Sequence, residues 1–555
     1  LEDRPEPLEQ RLDAVPADAM ILDAGPQTVA EVGTAFGSFG VRRHNVRLSG
    51  EEGPWNYHLS AVRLATDGFR EHSAVERQQG GVQLYYEGDD GLEVTLRVDA
   101  SRDPETLDPS GLTPQQWRED PEQVQDRIVD FNTRKQLKHR QFSLNLDKAV
   151  SSGTWQMVAW RGWRDVDQWL AFEGAPEEDS PYASGGVIDL DREFQGVQGS
   201  YQHRATVAAR PWSTTVGVSI EQMDDRRRGY VNDFGEAGDL RRDETGSVDS
   251  RDLFALVEWQ PRDSLVLLGG LRHSRAEFSV DDYFVVGPDD SDPFKNPDDS
   301  GSLDFSETSA ALGASLKLAP EWVLFGSVGR GFETPTLTEM AYRNDDTGLN
   351  TDLSPSRNLH LEAGVRFSAD ARQRWALTTF SVDSEDELVV DESMGGRTTY
   401  HNAAGTQRYG IELEGDWQLA PTLKVQGSAT WLDAEYSEGE WSGNRLPGVA
   451  KNQAYAQLRW LALEAPRVAL TFAGRYRSSV ATSDDNLIEA PDYVTFDLAL
   501  SSEHRWRDYK MDAWVRVENI ADKTYVGSVI VNQGNNRSFE PAPGRTFMVG
   551  VELKI

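Results

Sequence analysis

Three short runs gather the side chains of this chain that could do chemistry. Arg226, Arg227 and Arg228 stand beside Tyr230, Tyr342 precedes Arg343, and Arg397, Tyr400, His401 and Arg408 share one further stretch. A guanidinium presents a planar fork of donors and an aromatic ring a stacking face. Such runs are out of keeping with the rest of the chain, where 92 acidic side chains face 56 basic ones for a net charge of −36. That balance disfavours nucleic acid as a partner, because a polyphosphate needs a cationic surface. The acidic residues are spread over the whole chain, as on a salt-adapted surface.

Catalytic chemistry has no foothold. The nine histidines are scattered and none pairs at zinc-ligand spacing. There is no Gly-x-Ser-x-Gly elbow, P-loop or dinucleotide fingerprint. Asp289 to Asp292 and Asp298-Asp299 offer hard oxygen atoms to Ca²⁺, but without the spacing of a full ligand loop they read as solvated acidic loops. We therefore expect no catalytic residues, no bound metal, no cofactor and no enzyme activity.

The elements that position the basic runs are strands. Mean hydropathy is −0.57, and no segment approaches the apolar length of a membrane helix. Glycine is abundant at 48 and tryptophan reaches 16, and apolar residues recur at every second position. About 22 such runs follow one another from residue 27 to residue 555. Connections alternate short and long. Glu87–Gly91 and Gln260–Ser264 are short; 100–133, 165–188, 224–249, 278–305, 331–357, 385–407, 435–451, 478–491 and 519–544 are long. Short turns at one rim and long loops at the other predict an all-β fold, a transmembrane antiparallel β-barrel with periplasmic turns and extracellular loops. The basic runs fall in or beside the long loops.

The last run fits. Phe547, Val549, Val551, Leu553 and Ile555 form one apolar face, and Met548, Gly550, Glu552 and Lys554 the other. Trp155, Trp160, Trp163, Trp259, Trp322, Trp375, Trp417, Trp431, Trp506 and Trp514 lie near strand ends, where interface girdles need amphipathic rings. Zero cysteines exclude a disulfide scaffold.

Several segments resemble one family. Gly331-Phe-Glu-Thr-Pro335-Thr-Leu337-Thr-Glu339 is similar to a signature of TonB-dependent outer-membrane receptors. So are Gly269-Gly-Leu-Arg272, Tyr409-Gly-Ile-Glu-Leu-Glu414, Leu446-Pro-Gly448, Val517-Glu-Asn-Ile-Ala-Asp-Lys-Thr-Tyr525 and Pro543-Gly-Arg545, in the family's order. Phe36-Gly-Ser-Phe-Gly40 and Asp67-Gly-Phe-Arg70 resemble its first strands and first loop. The stretch from Gly331 to Ser356 resembles the YncD-like branch, which is associated with uptake of pyrroloquinoline quinone.

The resemblance implies a monomeric receptor in the outer membrane of a Gram-negative bacterium, among lipid and lipopolysaccharide. Extracellular loops would capture a scarce small-molecule chelate or quinone, either a ferric siderophore or pyrroloquinoline quinone. The TonB–ExbB–ExbD complex would energise uptake through a plug domain. It makes Gly331, Phe332, Pro335, Leu337 and Glu339 the family motif. It makes the ten basic and aromatic loop residues named above the candidate ligand contacts, since either cargo is anionic. Residues 1–26 are expected to be a linker or plug remnant, with Ile21–Ala24 its last trace, and 27–555 the barrel. The plug, with its TonB box, is expected to be largely missing. A passive porin-like channel and a soluble β-rich binding protein are the alternative functions.

Overall fold

The structure, a computed structural model, describes residues 28–175, 184–286, 298–341, 343, 349–370, 372–394, 397–507 and 509–555. Twenty-two strands form a single antiparallel sheet that closes on itself. Its seam joins the first strand, Val29–Gly37, to the last, Thr546–Lys554, in register from Glu31 opposite Lys554 to Gly37 opposite Met548. Closure satisfies every edge, which an open sheet in hydrocarbon cannot do. No helix among the described residues is long and apolar enough to cross a membrane.

One rim is made of tight turns. Val207 and Arg210 are joined through Ala208 and Ala209, whose φ angles are +51° and +59°. Paired positive φ gives the turn a twist that matches its strands. The other rim carries the long connections, as the alternation of lengths predicts. They contain helix α1, Pro114–Glu119, helix α2, Asp126–Asp130, and helix α3, Leu337–Met340.

Two of the expected loops are not loops. Residues 224–249 continue the strands Arg210–Asp233 and Glu236–Arg262, which turn over at Phe234-Gly235. Residues 385–407 continue Gln373–Met394 and Arg397–Ala420. Both are tall hairpins standing above the barrel. They escape a hydrophobic-alternation criterion because neither face of a strand above a membrane meets lipid.

Alternation within the barrel holds strand by strand. Val216, Val218 and Ile220 are exposed on the outside, as are Phe547, Val549 and Val551 on the last strand. Inward positions carry aromatic rings laid over cross-strand glycines. Phe380 lies over Gly410, where an added Cβ would stand 2.1 Å from Phe380 Cζ. Trp160 covers Gly196 and Trp514 covers Gly550 in the same way. These two tryptophans correct the girdle expectation. Their neighbours Met157 and Val515 are the exposed, outward residues, so period two turns Trp160 and Trp514 to the lumen. Trp155, Trp322 and Trp431 are exposed on the outer face, as a girdle requires.

Candidate ligand mouth and lumen wall

The motif at Gly331 is a strand end followed by a pin. The strand Trp322–Glu333 pairs with the next as far as Glu333 opposite Ser356. Thr336 then caps α3. Its hydroxyl accepts from the Glu339 N–H at 3.3 Å, and the Glu339 carboxylate accepts from the Thr336 N–H at 2.8 Å. This reciprocal box satisfies two donors that a helix start leaves bare. Pro335 and Met340 are fully buried. Leu337 and Met340 pack with Phe278, Val280, Leu349, Leu353 and Leu388, and Tyr400 leans on the same cluster. Phe278 and Gly246 face inward, so the pin rests the connection on the inner wall. Glu339 is therefore a structural cap, buried at 6% exposure.

Beside it, Arg408 grips Glu387 with both arms of its guanidinium, and Thr406 donates to the same carboxylate. Burial pushes the Glu387 carboxyl up, but the Arg408 and Thr406 donors outweigh it and hold the group below its ordinary range. Tyr436 donates to Asp484 at 2.6 Å, and burial together with that carboxylate drives its hydroxyl well above the usual phenol range. Asn532 bonds Asp484 at 2.9 Å and the Val390 carbonyl at 2.6 Å. Three connections and one tall hairpin are thus tied together on this side of the mouth.

Arg70, from the first-loop motif, serves a similar end. It donates to the carbonyls of Ser110 at 2.7 Å, Gln123 at 2.7 Å and Pro109 at 3.2 Å. Burial lowers its pKa to about 10. It clamps the connection that carries α1 and α2.

The predicted ligand contacts separate by face. No register shift interrupts the pairing of Val187–Val207 with Arg210–Asp233. Arg226, Arg228 and Tyr230 therefore share the outward face of Val216 and Ile220. Arg227 shares the inward face of Asp225, which Arg192 holds at 2.7 and 2.6 Å. Arg226 pairs with Asp243 at 3.2 Å, and Arg228 with Asp189 and Asp191, each at 2.9 Å. Arg343 reaches Asp352 at 2.9 Å and His401 lies 3.4 Å from Asp391. Tyr342 and the side chain of Arg397 lie outside the described residues, as do Asp289 to Asp292 and residues 1–26. Of the ten, the structure brings Tyr400 and Arg408 to the interlocked mouth and Arg227 to the inner face of its hairpin. Arg226, Arg228 and Tyr230 point away.

The lumen wall holds a recess that the sequence reasoning missed. A cavity of about 590 Å³ is lined by Tyr455, Arg475, Arg477, Tyr493, Asp497 and Arg516. Arg475 bonds Asp497 at 2.6 Å, and its guanidinium lies 5.8 Å from the Tyr455 ring centre. Arg477 donates to the carbonyls of Val526 and Gly527 at 3.1 and 3.0 Å and lies 4.9 Å from the Tyr493 ring centre. Period two was the available signal, since the exposed Phe472 and Tyr476 send Arg475 and Arg477 inward. No grouping of three or more metal-ligating side chains occurs among the described residues.

The matching family description is "TonB dependent receptor-like, beta-barrel", over residues 65–520. The chain belongs to that family. Its apolar outer band is accordingly the lipid-facing surface of a Gram-negative outer-membrane barrel.

Among curated relatives of this TonB-dependent barrel is the pesticin receptor of Yersinia enterocolitica, 24% identical over 54% of this chain and 42% of its own. Another is the metal-pseudopaline receptor CntO of Pseudomonas aeruginosa, 27% identical over 39% of this chain and 29% of its own. The chain thus matches less than half the length of either. The fold is that of the ferric citrate transporter FecA, with a TM-score of 0.79 at 14% identity, covering 96% of this chain and 79% of that one. The ferric yersiniabactin receptor FyuA of Yersinia pestis aligns at 0.77 and 15% identity, covering 96% and 80%.

Proposed function

We propose that this barrel serves active uptake of a scarce metal chelate across the outer membrane. The observation that carries this is the mouth. The capped pin at Leu337–Met340 rests on the inner wall, the Glu387–Arg408 junction ties the mouth beside it, and cationic and aromatic side chains line the lumen wall. A simple diffusion pore needs no such pinned, cation-lined entrance. The chelate is anionic, held by guanidinium forks and aromatic faces along the wall. Named relatives that take metal chelates support a ferric or other metal–siderophore cargo, and pyrroloquinoline quinone is the second anionic cargo of fitting chemistry. Energy comes from the TonB–ExbB–ExbD complex acting through a plug.

The test is accumulation of a radiolabelled ferric chelate by cells expressing the receptor, with and without a protonophore. Saturable uptake that collapses with the proton-motive force is expected. Uptake that is linear in concentration and indifferent to the protonophore, with large ungated single-channel currents, would make the barrel a passive channel instead.

A further inference from the structure

Two glutamates on the inner wall stand apart from several of its other carboxylates. Asp225 is held by Arg192, Asp252 by Arg272, Glu307 by Arg357, and Asp416 by Arg374 and Lys424. Glu412 and Glu414 form no ion pair among the described residues, and both are exposed. On the strand Arg397–Ala420 they alternate with the outward, exposed Ile411 and Leu413, so period two turns both to the lumen. Two residues apart on one face, they set their carboxylates about 7 Å apart along the strand.

The ladder leads from them to the recess at Arg475 and Arg477, because directly paired residues share a face. Glu414 stands opposite Ser428, Ser428 opposite Tyr455, and Tyr455 opposite Arg475. One step nearer the mouth, Glu412 leads through Thr430 and Gln453 to Arg477. Ser428, Thr430 and Gln453 line the cavity and carry no charge. Three ladder steps place each glutamate Cα about 14 Å from the arginine Cα at the other end of its row. The recess is therefore edged by carboxylates on one side and guanidinium groups on the other.

The cationic edge is only partly neutralised from within. Asp497 divides its oxygens between Arg475 Nη1 at 2.6 Å and the Asn519 N–H at 2.9 Å. Arg516, the third guanidinium of the lining, stands 3.5 Å from Glu518.

Resting on the reading of the barrel as a chelate receptor, we propose that this recess takes a zwitterionic arm of the cargo, an α-amino acid group. Its ammonium lies between Glu412 and Glu414, and its carboxylate lies on the arginine edge at Arg475. An ammonium has three donors, enough for both glutamates, and a carboxylate suits a guanidinium fork. The two carboxylates also favour the charged form of the amine. A purely anionic arm meets the glutamate edge and is repelled, and a purely cationic arm is repelled by the arginine edge. The wall thus selects aminocarboxylate chelates by what it rejects as well as by what it holds.

The probes are three ferric trihydroxamates of one core. The first bears a pendant α-amino acid, the second its N-acetyl derivative and the third its methyl ester. Each is titrated calorimetrically into the full chain in detergent. The zwitterionic probe should bind about tenfold more tightly than either derivative, the value of one charge-assisted contact. Glu412→Gln/Glu414→Gln should bring it to the affinity of the N-acetyl probe without weakening that probe. Arg475→Gln should bring it to the affinity of the ester. Glu221→Gln, an inward acid on the opposite wall, should change nothing. Heat-modifiable migration, the mark of a closed barrel, is checked first for each variant. Full affinity for the zwitterionic probe in the folded double variant would overturn the proposal. A parent that binds all three probes equally also loses the zwitterionic arm but keeps the chelate receptor, whereas a parent that binds none of them loses both.

Discussion

Leu337 rests against Gly246, where an added Cβ would stand 3.0 Å from Leu337 Cδ1. The contact joins the family motif to the inner face of a tall hairpin that is remote in sequence. It explains why the motif needs a leucine there and the hairpin a residue without a side chain. Leu337→Ala should cost the pinned connection about 2–5 kcal/mol, the usual penalty for truncating a buried leucine. The checking measurement is limited proteolysis of residues 334–355, which should speed up sharply while the thermal melting of the barrel stays within a few degrees. Unchanged cleavage would mean the pin is not held by this contact.

Thr336→Ala should loosen the same turn more mildly, by about 1 kcal/mol, since it removes one half of the capping box. Glu339→Gln should be milder still, because an amide oxygen can still accept from the Thr336 N–H. Amide hydrogen exchange at residues 336–341 resolves the two, and the ranking fails if the glutamine variant exchanges faster than the alanine variant.

The Glu387–Arg408 junction should respond to acid. The folded carboxyl titrates below its unfolded value, so its contribution is complete above roughly pH 4.3 and is lost as pH falls through the folded pKa. Glu387→Gln should therefore destabilise the mouth at pH 7 and remove most of the difference between pH 7 and pH 3. Melting of the wild type and variant at both values checks this. An acid sensitivity that survives the substitution would assign it to other carboxylates.

Face decides which hairpin arginines can matter for cargo. Arg227→Ala should weaken chelate binding by about tenfold, one charge-assisted contact, while Arg226→Ala and Arg228→Ala leave it unchanged. Arg343→Ala combined with Arg397→Ala should also weaken it. Intrinsic fluorescence quenching by the chelate measures all of these, and equal effects at 226, 227 and 228 would show that the faces do not separate.

The inward rings are joints as well as wall. Gly410→Ala would drive a methyl into the Phe380 ring and should cost roughly 1–3 kcal/mol, as overpacking does. Pairing it with Phe380→Ala should recover part of the loss. A lowered melting temperature in the single variant and a partial return in the double one are the expected results.

The barrel was legible because hydrocarbon demands an apolar residue at every second outward position. Phe547, Val549 and Val551 state that demand openly. The tall hairpins were not legible for the same reason. Between Asp224 and Ser250 neither face meets lipid, so charge replaces alternation and the segment resembles a loop. The two-residue turn at Phe234-Gly235, with φ of +47° and +96°, was the local clue. Aromatic content placed tryptophans near strand ends but could not say which side they took; that needed the parity of Val515 against Trp514. The family motif identified its own stretch, yet its role as a pin depended on Phe278 and Gly246, which no local pattern links to it. The recess at Arg475 and Arg477 was hidden because cations on a lumen wall and cations on a soluble sheet look alike in sequence.

The seam between Val29–Gly37 and Thr546–Lys554 sets an order on assembly. Every other pairing in the sheet joins strands that are neighbours along the barrel part of the chain. This one joins its two extremities, and bringing ends so far apart into register carries the largest loop-closure entropy in the molecule. Until Thr546–Lys554 arrives, Val29–Gly37 and Tyr509–Glu518 each present a row of unpaired amides to whatever lies beside them. The nine-residue strand Thr546–Lys554 is thus both a staple and a timer: the wall becomes watertight only when this strand has been delivered.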